Sequence, residues 1–161
     1  MIEMLERCAA LPERSLATGD VLVAEGDAPG ALHVLVEGVL VVRKGDVQVA
    51  AIDRPGACVG EVGLLLGIPA TATVVATTPV RVLTATDGTR FLQDDPQVAV
   101  FVARMLAERL HLVTTFLADL RRQYGGSGGS LAVVDTVLAN LMQQSGPAAR
   151  PGSARDPDPL Y

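Results

Sequence analysis

The 161-residue sequence has no tryptophan, two tyrosines and three phenylalanines. That scarcity removes the stacking platform with which single-stranded nucleic acid is held. Basic charge is short as well. Lys and Arg total 13 against 18 Asp and Glu, a net charge of −5, so the electrostatic footprint of a dedicated nucleic-acid binder is missing. Cysteine is limited to Cys8 and Cys58. They match no metal spacing, are too few for an iron–sulfur cluster, and read as small apolar core residues of a reducing compartment. The apolar fraction is 49%, yet no run reaches the roughly 18 consecutive apolar residues of a membrane helix. The start, Met1 to Cys8, carries acids and no apolar stretch, unlike a secretory leader. A cytoplasmic protein with no membrane partner, no DNA and no metal is expected. No nucleophile, base and orienting group can be traced together, so no enzyme and no catalytic residue is expected either.

What is present is strand and turn punctuation. After a short helix over 1–10, with Ile2, Leu5 and Cys8 on one side, Pro12 breaks the pattern. Apolar runs at Asp20–Ala24, Ala31–Val36, Val39–Val42 and Val47–Ile52 are separated by glycine-containing turns. Short strands at such spacing imply a sandwich or barrel. His33 sits in one of these runs without ligand partners in reach and reads as a packed or edge histidine. Two more strands follow, Thr71–Ala76 and Val80–Ala85. Asp87 is placed to cap a short helix near Thr89–Gln93, and Asp94-Asp95-Pro96 is a strong helix start.

The helix beginning at Pro96 extends to Tyr124, about 40 Å at the standard rise. Leu106, Leu110, Val113, Leu117, Leu120 and Tyr124 make a four/three seam. Phe101, Met105, Leu112 and Phe116 make a second stripe, expected to face the strands. One helix with two apolar faces needs two surfaces to cover it; the alternative is a single broad core-facing stripe in a monomer. Residues 125–129 form a Gly/Ser linker. Residues 130–143 form a short amphipathic helix with Leu131, Val134, Leu138 and Leu141 on one face, and a protein partner is expected for it. Residues 144–161, rich in Pro and Gly, are expected to be a disordered tail.

The most informative stretch is Gly56 to Val74, a strand end, a Gly-Glu corner, a helical turn, a proline turn and a returning strand. Gly60 permits close backbone approach, and the helix after it aims free N–H groups and its positive dipole end at one space. The run V-G-E-V-G-L-L-L-G-I-P-A-T-A-T-V, Val59 to Val74, resembles the phosphate-binding cassette of the cyclic nucleotide-binding domain family. Gly19-Asp20, Glu25-Gly26-Asp27, Leu32 and Gly38 fit the same pattern upstream. The resemblance implies a mainly β fold with helices. Its core is an antiparallel double-stranded β-roll of the jelly-roll type over 13–86, with an N-terminal helix and a long dimerisation or lid helix over 96–124. Together these make one domain over 1–124, paired with a second copy through 96–124 as a homodimer.

It also implies site roles for Val59, Gly60, Glu61, Val62, Gly63, Ala70, Thr71, Ala72 and Thr114. Glu61 would accept a ribose hydroxyl. The amides of Val62, Gly63 and Ala72 would hold phosphate oxygens. Thr71 would touch phosphate and a guanine, and Thr114 a base. The ligand would be cGMP or cAMP. The departure is at Ala70, where the family has the arginine that pairs with the cyclic phosphate; Arg54 and Arg81 are the cations considered as substitutes. A winged helix-turn-helix of the catabolite activator type is not expected after the long helix. Two readings stay open: a stand-alone cyclic-nucleotide sensor, and a degenerate fold used as a dimerisation or protein-interaction module without nucleotide. A haem sensor using His33 and His111 stands a distant third.

Overall fold

Alternation along each strand decides which side is buried, and here it divides the apolar residues between two cores. In the computed structural model, which describes residues 2–124, helix α1 (Ile2–Cys8) precedes β1 (Glu13–Leu16), β2 (Val21–Val23), β3 (Leu32–Glu37), β4 (Leu40–Lys44), β5 (Val47–Ile52) and β6 (Cys58–Val59). Helix α2 (Glu61–Leu66), β7 (Thr73–Ala76), β8 (Val80–Ala85), α3 (Gly88–Asp94) and α4 (Pro96–Tyr124) follow. The strands form two four-stranded antiparallel sheets, ordered β1-β8-β3-β6 and β2-β7-β4-β5. This is the antiparallel β-roll, followed in the chain by a long helix. The described residues belong to two compact units that divide within α4, one ending at Ala107 and the other starting at Glu108.

Leu35, Val59, Val80 and Val82 point between the sheets and pack with Leu16, Leu22, Leu40, Val74 and Ala76. Val34, Cys58 and Leu83, the sequence neighbours of Leu35, Val59 and Val82, point the other way, as does Ala85, and they pack with Met4, Cys8, Val98 and Val102 from the helices. The period of two in the strands is thus answered by Val98 and Val102, four apart on α4. Burial raises the Cys8 thiol to about 11, with the Asp95 charge a second cause, so the side chain acts as an uncharged apolar group. Helix α3 starts on Asp87, whose carboxylate accepts the Arg90 amide at 3.0 Å. Helix α4 starts beside Asp95, which accepts the Gln97 amide and pairs with Arg7 of α1 at 2.9 Å.

Several expectations are corrected. On α1 the fully buried pair is Met4 and Cys8, with Leu5 only half-buried, because residues four apart meet the sheet together. β1 was not anticipated as a separate strand. β7 begins at Thr73 rather than Thr71, since Ala70 is held by another loop. On α4, Phe101, Met105 and Leu106 pack on the core of the first unit. Leu112 and Phe116 lie in the second unit and are 71% and 61% exposed, so they are not part of that core. The seam divides too, with Leu110 and Val113 exposed and Leu117 and Leu120 half-buried. The linker 125–129, the helix expected over 130–143 and the tail 144–161 lie outside the described residues. Among the described residues no helix is long and apolar enough to cross a membrane.

Candidate functional site

The cassette starts with a bulge. Gly56, at φ 86°, donates its amide to the Leu35 carbonyl at 2.7 Å, while the Leu35 amide donates to the Ala57 carbonyl at 2.8 Å. Two residues of one strand thus oppose one of the other, with glycine in the left-handed position of the bulge. The extra residue turns the chain into β6, which pairs His33 with Val59 and Val34 with Cys58.

Gly60 then makes the corner at φ 94° and ψ −8°, and a Cβ there would stand 2.6 Å from the Ala31 carbonyl oxygen. No other residue type fits both the torsion and the space. The Leu64 amide bonds the Gly60 carbonyl at 3.1 Å, the first hydrogen bond inside α2. The amides of Val62 and Gly63 therefore have no acceptor within the helix, and Gly60 supplies no side-chain cap. Gly67 closes the helix at φ 65°, its amide on the Gly63 carbonyl. The Ile68 amide reaches the same carbonyl at 3.1 Å.

The return from α2 is clasped by a turn built twice in this fold. The Gly26 amide donates to the Ala70 carbonyl and the Ala70 amide to the Asp27 carbonyl, both at 2.8 Å. The Asp27 carboxylate accepts the Ala24 amide at 2.8 Å. Gly19 and Asp20 repeat the pattern. They hold Ala76 by bonds of 2.8 and 2.9 Å, with the Asp20 carboxylate on the Ala17 amide. Each Gly-Asp pair thus fixes one alanine of a neighbouring segment. Thr73 is tied as well, its hydroxyl accepting the Glu25 amide at 3.0 Å.

Glu61 is 3% exposed, although the sequence suggested an accessible acceptor at the corner. Among the described residues no buried side-chain nitrogen or oxygen lacks a hydrogen-bond partner, so the carboxylate sits in a satisfied setting. It is the one charged residue between Gly56 and Val74. Val59 and Gly63 are buried beside it, Gly60, Ala70 and Ala72 are half-buried, and Val62 and Thr71 are exposed. Thr114 belongs to the second unit, where its hydroxyl donates to the Leu110 carbonyl at 2.8 Å. Of the two substitute cations, Arg81 is engaged on β8 by Glu37 at 2.7 Å and Glu13 at 3.1 Å, which holds its guanidinium well above its usual value. Arg54 is exposed in the turn before Gly56.

His33 lies next to the corner in β3. It is 6% exposed, and its Nδ1 is 3.0 Å from the Thr84 hydroxyl. Burial, with the Arg14 charge as a smaller cause, pushes the imidazole down to about 4. It is a packed neutral histidine. Among the described residues no group of three or more His, Cys, Asp or Glu is arranged to hold a metal. The bulge at Gly56 and the twin clasps escaped sequence reading. The repeated Ala-x-Gly-Asp at 17–20 and 24–27 was their signal.

Comparison with known proteins agrees with this geometry. A cAMP-dependent protein kinase regulatory subunit from Hypocrea atroviridis is 37% identical over 75 residues, 47% of this chain and 16% of that protein. The solved N-terminal domain of a transcriptional regulator from Streptomyces coelicolor A3(2) is 32% identical, with a TM-score of 0.50 over 69% of this chain and 84% of that one. A structure from a cyclic-GMP-dependent signalling pathway that regulates bacterial phytopathogenesis has a TM-score of 0.58 at 24% identity. It covers 68% of this chain and 92% of its own, and supports the fold alone. The family pattern described as the cyclic nucleotide-binding domain matches residues 13–95, just over half of the chain. The chain belongs to the cyclic nucleotide-binding domain family.

Proposed function

We infer that this chain is a regulatory domain that takes a cyclic nucleotide in the 56–74 cassette. The observation that carries this is the Gly60 corner, which leaves the Val62 and Gly63 amides of α2 without acceptors in their own helix. In this reading Val62, Gly63 and Ala72 offer amides to the cyclic phosphate, Glu61 meets a ribose hydroxyl, and Thr71 favours guanine over adenine. A relative of 37% identity over 75 residues, a cAMP-dependent protein kinase regulatory subunit, supports the same class of ligand. The domain acts by binding, without catalysis. DNA is no partner in this reading, given the net charge of −5. Two copies associate through α4, and a protein partner takes residues 130–143.

A second reading, an interaction module that binds no nucleotide, is favoured by Ala70. The cassette has no cation, and its single charge, Glu61, repels an incoming phosphate. Isothermal titration with cAMP, cGMP and cyclic dinucleotides separates the two. The first reading expects weak binding with cGMP ahead of cAMP. Absence of heat with every nucleotide at millimolar concentration would sink it, whereas submicromolar affinity would eliminate the second.

A further inference from the structure

We propose that Met105 is a positioning residue through which α4 holds the cassette strand, its thioether accepting the outward amide of Cys58. The proposal deepens the reading above by naming what ties the helix to that site. β6 is two residues long and lies at the edge of its sheet. Leu35 exchanges hydrogen bonds with the Gly56–Ala57 bulge. The next pair, Val34 and Cys58, is therefore a non-bonded pair of the antiparallel ladder. The Cys58 amide points away from β3, off the sheet edge. There it meets Met105 Sδ at 3.5 Å.

The Cys58 side chain is buried in the same core as Val98 and Val102 of α4, with Met105 packed against it. The Val59 side chain points into the other core. Gly60 follows at once, so a displacement of the Cys58 backbone is passed directly to the corner that orients the α2 amides. Met105 stands two residues before Ala107, the end of the first unit.

The residue type fits the role. A leucine at 105 would fill nearly the same volume but accept nothing. A thioether is a weak acceptor on a chain with three rotatable bonds, so it keeps contact while the helix slides by a fraction of an ångström. A ligand that favours one position of the cassette corner thereby favours one position of α4, by its difference in affinity for the two.

The test uses 15N-labelled full-length protein without nucleotide, as wild type, Met105→Leu and Met105→Gln. Amide exchange is followed at Cys58 and, as an internal control, at Leu35, whose amide is bonded to the Ala57 carbonyl. In Met105→Leu the Cys58 amide should exchange at least about threefold faster relative to Leu35, the size expected for loss of one modest hydrogen bond. The Gly60 and Gly63 amide resonances should shift with it. Met105→Gln, which restores an acceptor, should return all three toward wild type. Equal acceleration at Cys58 and Leu35, unmoved Gly60 and Gly63 resonances, or identical behaviour of Leu and Gln at 105 would each overturn the proposal. Titration of the same proteins with cGMP then reads the consequence, with affinity reduced in Met105→Leu and recovered in Met105→Gln. A wild type that binds no cGMP would refute the ligand reading and leave the exchange result to decide the Met105 link.

Discussion

At position 70 the backbone is held from both sides, its carbonyl by Gly26 and its amide by Asp27. A longer side chain would therefore project from a fixed point beside the cassette. In the proposed nucleotide reading, Ala70→Arg supplies the cation that the cassette lacks. A charge-assisted hydrogen bond contributes about 1.5–3 kcal/mol, and the guanidinium also offsets the Glu61 charge. Calorimetry should find cGMP bound at least about tenfold more tightly by the variant. An Ala70→Arg protein that folds normally and gains no affinity would favour the interaction-module reading.

His33 allows a second prediction at this scale. Burial lowers the imidazole from 6.5 to about 4 in the folded protein, so the unfolded chain binds the extra proton first as pH falls. Stability from the neutral ring is complete above the unfolded value and is lost as pH drops through the interval down to about 4. Urea unfolding should show roughly 2 kcal/mol less stability at pH 5 than at pH 7. His33→Gln should flatten that part of the profile. An unchanged slope in the variant would assign the acid sensitivity elsewhere.

Among the elements, the caps are where sequence and structure agree most closely. Asp87 accepts the Arg90 amide at the start of α3, and its neighbour Gly88 is packed so tightly that a Cβ would lie 2.8 Å from Leu64. A side chain at this first helical position would force that contact to shift. Asp87→Ala should cost about 1 kcal/mol by thermal or urea unfolding, and Asp87→Ser should recover most of it. No loss in the alanine variant would mean that packing at Gly88 alone sets the boundary. These features were legible because capping is local, a side chain meeting an amide three residues away. The Gly60 corner was legible for the same reason. Features that depend on distant chain segments were not. Arg81 meets Glu13 and Glu37, 68 and 44 residues away, which removes it from the cassette for reasons no local pattern carries. Glu61 reads as an exposed acid at a helix start, yet the fold around it leaves 3% of it exposed. The stripe from Phe101 to Phe116 keeps its spacing while its surroundings change, so periodicity predicted a face and not what covers it.

For the whole molecule the open surface lies on the second half of α4. Leu110, Leu112, Val113 and Phe116 are 51%, 71%, 49% and 61% exposed, within seven positions of one another on a single helix. They draw on both apolar stripes of the helix, Leu110 and Val113 on one and Leu112 and Phe116 on the other, and contiguous exposed apolar surface of that extent marks an association site more often than an ordinary solvated face. In a two-fold dimer the same patch serves both copies, so every substitution acts twice. Leu110→Glu combined with Phe116→Glu places four carboxylates in an interface that would otherwise bury four apolar groups. Both positions are exposed in one copy, so the fold should tolerate the change. Multi-angle light scattering at micromolar concentration should find the wild type as a dimer and the double variant as a monomer with an unchanged circular dichroism spectrum. A wild type that is already monomeric under those conditions would end the dimer reading. A double variant that remains dimeric would move the interface off this face of α4.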